Sequence, residues 1–335
     1  MLDTLRKLCT LPGPSGSEDA VREFIISEVK PFADEIVEDP MGNLLVTKKG
    51  AREPSKKLMF AAHMDEVGVI VTGITDDGYL KFDFVGGVDR RVTIGKKVYI
   101  NNHTGVIGMK AIHLMEESER SQIPKLSAMY IDIGASSRAE AEKLVSLGDT
   151  GVFDPGFVEF GNGMIKARAI DDRVGCAVML GLIKEPLPVD ATFAFTVQEE
   201  VGCRGANTAA FSVRPEIAII LEGTTAADMP SQKGTDKVCA PGKGPVIPFM
   251  DGGTVYNRGL FDKLRGLAEA NGIPWQTKTL ISGGTDASAI QRVAGGARVA
   301  AISAAVRYIH SPACVACIED TENILKLARL FMETL

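Results

Sequence analysis

Several side chains that can ligate a metal ion stand where apolar runs of the sequence end. His63 closes the run LMFAAH and has Asp65 two residues after it, and His310 follows the run AISAAVRYI. The carboxylates that end an apolar run or open the next helix are Asp171, Glu199, Glu200 and Glu222. A polar side chain at such a place needs a partner or water, and an α/β sheet usually holds its chemistry at the strand ends. These residues are therefore the candidates for a functional site.

Brought together, two imidazoles and four carboxylates would hold an excess of negative charge. Carboxylates in contact cannot all remain ionised without a cation beside them. A mixture of imidazole and carboxylate suits Zn²⁺, Co²⁺ or Mn²⁺ better than Ca²⁺. Five such ligands exceed the need of one catalytic zinc, and they fit two ions about 3.5–4 Å apart, bridged by a carboxylate and a water or hydroxide. We therefore expect two divalent metal ions per subunit.

The doublet Glu199-Glu200 has a mechanical explanation. Neighbouring residues of a strand point in opposite directions, but both can reach one site where the strand turns. One carboxylate can then bind a metal ion while the other stays free to move a proton. The stretch SGGTDASAI, residues 282–290, is a glycine-rich turn that enters a helix. Its backbone N–H groups either face a bound carboxylate or carbonyl oxygen or serve as a plain helix cap.

Alternating strand and helix patterns would position these residues. The strand patterns EIVED, NLLVTKK, LMFAAH, ATFAFTV, EIAIILEG and ARVAAISAAV are interspersed with helical patterns. We therefore expect an α/β fold with a central, mostly parallel or mixed sheet covered by helices. From about residue 67 to residue 163 the pattern changes to short strands punctuated by glycine, which predicts an inserted small β-barrel-like domain. The predicted catalytic domain comprises residues 1–66 and 164–335, with the insertion at 67–163.

Some local predictions are more specific. Ser17 is expected to cap a helix that reaches about Lys30. The stretches SRAEAEKLVSL and GTDASAIQRVA are predicted to be helices. His103 is expected in a turn and His113 in a strand, so that neither belongs to the site.

The composition excludes several classes of protein. The chain has 335 residues and a net charge of −6, without a basic cluster, which argues against nucleic-acid binding. No apolar run reaches about 18 residues, so no membrane span is expected, and the N-terminus lacks the apolar core of a signal peptide. Six scattered cysteines indicate reduced thiols and a cytoplasmic location. Cys314 and Cys317 form one CxxC, which we interpret as packing residues near a helix start.

Six motifs together resemble one known family. They are AHMDEVG, IDDRVG, VQEEVGCRGA, ILEGTTAAD, SGGTDASAI and RYIHSP. In this order, over residues 1–335, they are similar to those of the TET-type aminopeptidases, di-metal peptidases that include glutamyl aminopeptidases and proteins once labelled cellulase M. The resemblance implies a zinc-exopeptidase-like fold and removal of the N-terminal residue from short peptides by a bridging hydroxide. It also implies a β-rich insertion that forms dimers, which assemble into a tetrahedral dodecamer.

The resemblance also implies a role for each candidate residue. The metal ligands would be His63, Asp171 and Glu222 for one ion and Asp171, Glu200 and His310 for the other. Asp171 would thus bridge the two ions, Glu199 would be the general base, and Asp65 would orient His63. The peptide bond between Asp171 and Asp172 would be cis. The family more often has Asp where this chain has Glu222, which leaves the ligation by the longer side chain open.

The substrate and even the activity have alternatives at this stage. The same metal pair would serve an N-acyl amino acid or amide deacylase, and a metal-binding assembly protein without catalysis is a further hypothesis. A glycanase would use two carboxylates that flank a sugar cleft, without metal ions. The pair of candidate ligand histidines therefore argues against a glycanase. The preferred N-terminal residue is not defined by the motifs. Arg307 and Lys233 would favour acidic side chains if they lay near the scissile bond.

Overall fold

A central six-stranded sheet organises the larger part of the molecule in this computed structural model, which describes residues 1–335, the side chains at positions 119 and 235 excepted. From edge to edge the strands are β1 (Glu35–Glu38), β2 (Leu44–Lys48), β12 (Ala191–Thr196), β3 (Leu58–His63), β13 (Ile217–Thr225) and β14 (Arg298–Val306). The last four run parallel, and β1 and β2 complete the sheet in antiparallel pairing. The carboxyl ends of four strands therefore share one edge.

Helices cover both faces of this sheet. They are α1 (Leu2–Thr10), α2 (Asp19–Val29), α5 (Ile170–Lys184), α6 (Arg204–Val213), α7 (Arg258–Ala270), α8 (Ala287–Ile290) and α9 (Ile318–Glu333). The period-two alternation of β3 divides its side chains between two cores. Phe60 packs into the larger core with α1, α2, α5, α7 and α9. Met59 and Ala61 pack on the other face with α6 and α8, where the core is rich in alanine.

A closed barrel follows β3 directly. Its strands, in spatial order, are β4 (Gly68–Ile74), β5 (Leu80–Val85), β8 (Met129–Asp132), β7 (His103–Met109), β6 (Lys97–Ile100) and β9 (Thr150–Phe153). The barrel has its own apolar interior, to which Val69, Leu80 and Ile131 contribute. Two short helices, α3 (Glu117–Arg120) and α4 (Arg138–Ala141), lie in its connections.

A third sheet joins residues on both sides of the predicted insertion boundary. Its three strands are β10 (Val158–Phe160), β11 (Met164–Ala167) and β15 (Cys314–Cys317), all antiparallel. Strand β10 thus pairs outside the barrel although it precedes residue 163. The predicted α/β fold with an inserted barrel is confirmed, whereas the domain limits at residues 67 and 163 stay a prediction.

Several local predictions were wrong. His103 begins β7 instead of lying in a turn, and His113 lies in a 3₁₀ turn, Ile112–Leu114, instead of a strand. Helix α2 starts two residues after Ser17, whose hydroxyl accepts a hydrogen bond from Thr150 of the barrel. The stretches SRAEAEKLVSL and GTDASAIQRVA were each predicted to be a helix along their whole length. Only four residues of each are helical, in α4 and α8, and turn and loop backbone follows both short helices.

The structure also bears on the expectations for the CxxC cysteines and for a membrane span. Cys314 and Cys317 occupy β15 immediately before α9, and both are buried with free thiols. Within the part of the chain that the structure describes, no helix combines the length and the apolar character that crossing a membrane requires.

Candidate active site

The parallel strands deliver most of the predicted site residues to one edge of the sheet. His63 is the last residue of β3, and Glu199 and Glu200 follow the end of β12. His310 comes four residues after the end of β14. Glu222 differs from the prediction, because β13 continues three residues beyond it to Thr225 and Glu222 lies opposite Ser303 within the sheet. The register of the parallel pairs was therefore needed to place this carboxylate.

The first cluster consists of His63, Asp171 and Glu222, all of them buried. The Nε2 atom of His63 lies 3.3 Å from Oε1 of Glu222 and 3.5 Å from Oδ1 of Asp171. Asp171 reaches this position from the start of α5, where Asp171 and Asp172 have non-helical backbone angles and a cis peptide bond joins them. A Cβ atom at position 223 would lie 2.9 Å from Oδ1 of Asp171, so glycine is needed there for the close approach.

The second cluster consists of Asp171, Glu200 and His310. The Nε2 atom of His310 lies 3.1 Å from Oε2 of Glu200 and 3.4 Å from Oδ2 of Asp171. Asp171 thus directs one oxygen to each histidine. The Nδ1 atom of His310 is 3.1 Å from the carbonyl oxygen of Gly87, in the loop that follows barrel strand β5. The barrel therefore helps to orient a residue of the α/β part.

Asp65 connects His63 to the glutamate doublet. The Nδ1 atom of His63 lies 3.1 Å from the carbonyl oxygen and 3.4 Å from Oδ1 of Asp65. The two carboxylate oxygens of Asp65 accept the backbone N–H groups of Glu199 at 2.9 Å and Glu200 at 3.1 Å. Ser15 donates a further hydrogen bond to Oδ2 at 2.5 Å. The fully buried carboxylate of Asp65 thus fixes the imidazole ring of His63 and the loop that carries Glu199 and Glu200.

Glu199 lies between the first cluster and a small polar group on its other side. Its Oε2 is 3.9 Å from Nε2 of His63, and its Oε1 accepts a hydrogen bond from the thiol of Cys203 at 3.4 Å. With Cys203 and Asp286 it forms a third group of potential ligand atoms. Asp286 belongs to the glycine-rich stretch noted in the sequence, and it accepts a hydrogen bond from Thr196 at 2.5 Å. This places that stretch beside the predicted base.

The protonation equilibria of the site reflect burial and crowding of carboxylates. Burial raises the pKa of Glu200 to about 8, and the neighbouring Asp171 carboxylate adds to the rise. Burial also raises the pKa of Glu199 to about 7, although the charge of His63 opposes it. The pKa of Glu222 lies well above its usual value because the group is buried and close to Asp172. Asp171 differs: burial acts against ionisation, but the close imidazoles of His310 and His63 hold its pKa below the usual value.

These groups fit a pair of divalent cations. The Oδ1 atom of Asp171 is buried and has no hydrogen-bond partner among the described residues, so an acceptor points into the first cluster unpaired. No lysine or arginine side chain in the described part of the structure forms an ion pair with the carboxylates of either cluster. Buried carboxylates without cationic partners are stable as ions only beside a metal or another positive charge. The chemistry of the donors, imidazole and carboxylate, is that of zinc, cobalt and manganese sites.

A cavity of about 290 Å³ opens beside the two clusters. It is lined by candidate ligands, among them Glu222 and His310, and also by Lys278 and by the stretch Ser282–Thr285. Neither Arg307 nor Lys233, which were the predicted neighbours of the substrate, lines this cavity. Arg307 is paired with Asp228 instead, and Lys233 is exposed. Lys278 carried no signal in the sequence, because it lies in an irregular segment without periodicity.

The chain is similar to known proteins over nearly its whole length. A family model described as M42 glutamyl aminopeptidase matches residues 42–327. A protein of Acetivibrio thermocellus that carries an aminopeptidase name is 45% identical over 329 residues, which span 98% of this chain and 97% of that protein. The lysyl aminopeptidase of Pyrococcus furiosus is 33% identical over 344 residues, spanning 99% and 97% of the two chains.

A solved structure extends the similarity to the fold. The TET1 peptidase of Pyrococcus horikoshii, which can assemble into a tetrahedron or a large octahedral shell, has a TM-score of 0.87 and 36% identity. The match covers 100% of this chain and 99% of that one. The resemblance to TET-type aminopeptidases is therefore confirmed, and the chain belongs to the M42 glutamyl aminopeptidase family, whose members are hydrolases acting on peptide bonds.

Proposed function

We propose that this protein removes the N-terminal residue of short peptides with the help of two divalent metal ions. The observation that supports this most directly is the sharing of Asp171 between two ligand clusters, one oxygen toward each histidine. His63 and Glu222 would complete the site of one ion, and Glu200 and His310 that of the other. Zn²⁺ and Co²⁺ suit these donors best, and Mn²⁺ is compatible with them.

The mechanism follows from the positions of the chain's own groups. Two divalent ions, when bound, would polarise the scissile carbonyl and acidify the attacking water. Glu199 would accept a proton from that water and then donate it to the leaving amine. Asp65 holds His63 by its ring and holds the Glu199 and Glu200 backbone, so it positions a ligand and the base together. The cavity beside Glu222 and Lys278 would receive the side chain of the first residue.

The proposal extends to assembly and location. We propose that residues 67–163 form the unit through which two chains pair, and that pairs build a closed homo-oligomer such as a dodecamer. The ability of the Pyrococcus horikoshii relative to form a tetrahedron supports this. None of the six cysteines is joined in a disulfide bond within the described residues, which is compatible with a cytoplasmic protein. Sedimentation velocity of the purified protein tests the assembly, because a monomer at micromolar concentration would contradict it.

The experiment that tests the activity is turnover of a panel of aminoacyl-p-nitroanilides. The protein is treated with EDTA and then assayed without metal and with Co²⁺ or Zn²⁺ restored, beside the variant Glu199→Gln. We expect metal-dependent release that falls about 10²–10⁴-fold in the variant, the usual contribution of a general acid–base group. Glu269→Gln, an exposed glutamate on α7, is the matched control and should keep full activity.

The result that would contradict the proposal is equally defined. If metal binds but neither the panel nor free peptides are cleaved, the aminopeptidase proposal fails. Release of acetate or another acyl group from N-acyl amino acids under the same conditions would identify a deacylase. Equal activity of Glu199→Gln and wild type would leave the reaction in place but remove Glu199 from it.

A further inference from the structure

A third group of side chains that can ligate a metal ion lies beside the two clusters described above. It consists of Glu199, Cys203 and Asp286, and one ligand atom of each lies within 4.8 Å of the other two. Oε1 of Glu199 and Sγ of Cys203 are 3.4 Å apart. In a tetrahedral zinc site with Zn–S of about 2.3 Å and Zn–O of about 2.0 Å, the sulfur and oxygen ligands are about 3.5 Å apart. This pair therefore already has the spacing that one zinc ion requires.

One oxygen of Asp286 has no partner within this group or around it. Asp286 is 1% exposed, and its Oδ2 accepts a hydrogen bond from the hydroxyl of Thr196 at 2.5 Å. Its other oxygen, Oδ1, is buried and has no hydrogen-bond partner among the described residues. A buried carboxylate oxygen without a partner is unfavourable. Its position beside a thiol and a second carboxylate therefore indicates a cation that comes from outside the chain.

The protein does not balance the charge of this third group. Within the described residues, neither Glu199 nor Asp286 forms an ion pair with a lysine or an arginine. Nε2 of His63 lies 3.9 Å from Oε2 of Glu199, but an imidazole that ligates a metal ion is neutral. Two largely buried carboxylates would thus remain without a positive partner after both clusters had been filled, and such groups need one.

The fold holds the three side chains in place without an ion. Glu199 and Cys203 border one tight turn, in which the carbonyl oxygen of Glu199 accepts the N–H groups of Gly202 and Cys203, each at 2.8 Å. Cys203 directly precedes α6 and Asp286 directly precedes α8, and these two helices pack against each other in the alanine-rich core. Ligands that are already ordered lose little conformational freedom on binding.

The third group can be reached from solvent and borders the candidate active site. Cys203 is partly exposed, whereas the five other cysteines are buried. Glu199 also lines the cavity beside the two clusters. An ion bound between Glu199 and Cys203 would therefore lie next to the place where a substrate reacts.

We propose that Glu199, Cys203 and Asp286 form a third, inhibitory cation site, which takes a thiophilic divalent ion such as Zn²⁺. Binding breaks the S–H bond of Cys203, whose proton passes to solvent, and forms a metal–sulfur bond and a bond to one oxygen each of Glu199 and Asp286. The bound ion occupies Oε1 of Glu199, and its positive charge disfavours protonation of that carboxylate. The proposed base can then no longer carry the proton of the reaction. The inhibition rests on the function proposed above, whereas the binding of the ion does not.

The binding test needs no substrate and uses the intact protein after its two clusters have been saturated with Zn²⁺. Titration with Cd²⁺ should produce a sulfur-to-cadmium charge-transfer band and one additional bound ion per chain. Since neither cluster contains a cysteine, the band reports on the third group. It should disappear in Cys203→Ser. In Cys203→Ser and in Asp286→Asn the affinity for the additional ion should fall by about 100-fold or more, because loss of a mere supporting partner of a ligand already costs about 10–100-fold.

The matched control for the binding test is Cys317→Ser. Cys317 is a buried cysteine of β15 and belongs to none of the three ligand groups. This variant should keep the wild-type band and the wild-type affinity for Cd²⁺.

The inhibition test measures the release of p-nitroaniline from aminoacyl-p-nitroanilides as Zn²⁺ is raised beyond saturation of the clusters. Wild type should be inhibited. The Zn²⁺ concentration for half inhibition should rise about 100-fold in Cys203→Ser, each protein being compared with its own activity before the excess was added. Excess Mn²⁺ on the manganese-loaded protein should not inhibit, since manganese prefers oxygen ligands to thiolate. A merely structural role of Cys203 would instead change the rate by the same factor at every Zn²⁺ concentration.

The outcomes separate this inference from the proposed function. Absence of the charge-transfer band in wild type, or its persistence in Cys203→Ser, overturns the third site. Loss of the band in Cys203→Ser with unchanged inhibition by Zn²⁺ overturns the inhibitory role. If the metal-loaded protein turns over no aminoacyl substrate, the proposed function fails, and the band and the number of bound ions still decide whether the site exists. If Cys203→Ser does not fold, Cys203→Ala and Asp286→Asn provide the same comparison.

Discussion

Two groups of buried charges lie next to each other in this molecule, and they are balanced in opposite ways. Asp65 and Glu66 are adjacent, and each is almost completely buried. Glu66 forms ion pairs with Arg168 and Arg173. Asp65 leads to the other group, in which the carboxylates of Asp171, Glu199, Glu200 and Glu222 have two histidines as their cationic partners among the described residues. Glu66 thus belongs to a cluster in which arginines pair with the carboxylate, which we call the balanced cluster. Asp65 borders the cluster of carboxylates and histidines, which we call the unbalanced cluster.

The charges of the cluster around Glu66 are paired within the protein, although the Nε atoms of Arg168 and Arg173 are buried and have no hydrogen-bond partner among the described residues. The second nitrogen of each guanidinium donates to carbonyl oxygens at the end of α1: Arg168 to Thr10 at 3.1 Å and Leu11 at 3.0 Å, and Arg173 to Leu8 at 2.5 Å. The carboxyl end of a helix has unpaired carbonyls and a partial negative charge, so two arginines can be neutralised by one glutamate and this helix end. The comparison indicates that a balanced cluster supports the fold, whereas an unbalanced one is built for a ligand that is not part of the chain.

The largest effect on stability is expected from breaking the balanced cluster. Glu66→Gln should lower the free energy of unfolding by about 3–5 kcal/mol, because it leaves two buried guanidinium groups with one partner fewer. The loss should be the same with and without metal ions, as measured by urea unfolding. Glu216→Gln is the control, since its ion pair with Lys56 is half exposed and such solvent-screened pairs contribute little to stability. A Glu66 variant that lost only metal affinity would break the distinction between the two clusters.

The next effect is expected at Asp65, which belongs to the other cluster. Asp65→Asn keeps the shape but removes the charge that supports His63 and weakens the hydrogen bonds from the Glu199 and Glu200 backbone. We expect metal affinity or kcat/KM to fall about 10- to 100-fold, the range for residues that orient metal ligands. Competition with a fluorescent chelator measures the affinity. An unchanged affinity together with a large loss of stability would place Asp65 among the residues that support the fold.

The two clusters also differ in how far the sequence could predict them. The ligand candidates other than Glu222 were accessible because each follows an apolar strand or opens a helix, which is a local pattern. The cluster of Glu66 with Arg168 and Arg173 was not, because the partners lie 102 and 107 residues away and no local pattern links them. Lys278 was missed because it lies in an irregular segment without periodicity. The expected role of Arg307 failed because Asp228 neutralises it.

The fold was likewise predictable where it depends on local patterns, and not where it depends on pairing between distant segments. Strand and helix periodicity gave the α/β order and the barrel, since both depend on short-range alternation. The sheet of β10, β11 and β15 was not predicted, because three- and four-residue strands carry too little pattern and one of the partners is about 150 residues away. The position of Glu222 inside β13 likewise depends on pairing with β14, which a single chain segment does not reveal.

A carboxylate in the unbalanced cluster should oppose folding when no metal is bound. Glu222→Gln removes a buried carboxyl whose pKa is raised well above its usual value by burial and by Asp172. At pH 8 the metal-free variant should be more stable than metal-free wild type, because it folds without burying a charge or taking up a proton at this position. In the presence of Zn²⁺ the order should reverse, because wild type gains binding free energy that the variant loses. Thermal unfolding with and without EDTA checks both signs, and a destabilised metal-free variant would contradict the comparison.

The pH dependence of the metal-free protein is the smallest and most general test of the unbalanced cluster. Burial raises the pKa of Glu200 to about 8 and that of Glu199 to about 7. The pKa of His310 is raised to about 9, since the neighbouring Asp171 and Glu200 outweigh its burial. All three groups bind more protons in the folded state than in the unfolded state, so stability must fall as pH rises.

For the two glutamates the decline begins above their unfolded pKa, near 4.3, and for His310 above about 6.5, and it ends near pH 9. Asp171, whose pKa is lowered, contributes with the opposite sign, but only below about pH 4. The Tm of the EDTA-treated protein should therefore fall steadily from pH 5 to pH 9, and saturating Zn²⁺ should flatten this slope by replacing protons with metal ions. Glu66→Gln should shift the whole curve down without changing its slope, because Glu66 pairs with Arg168 and Arg173 and, within the described residues, makes no hydrogen bond or ion pair with the ligand clusters that cause the slope.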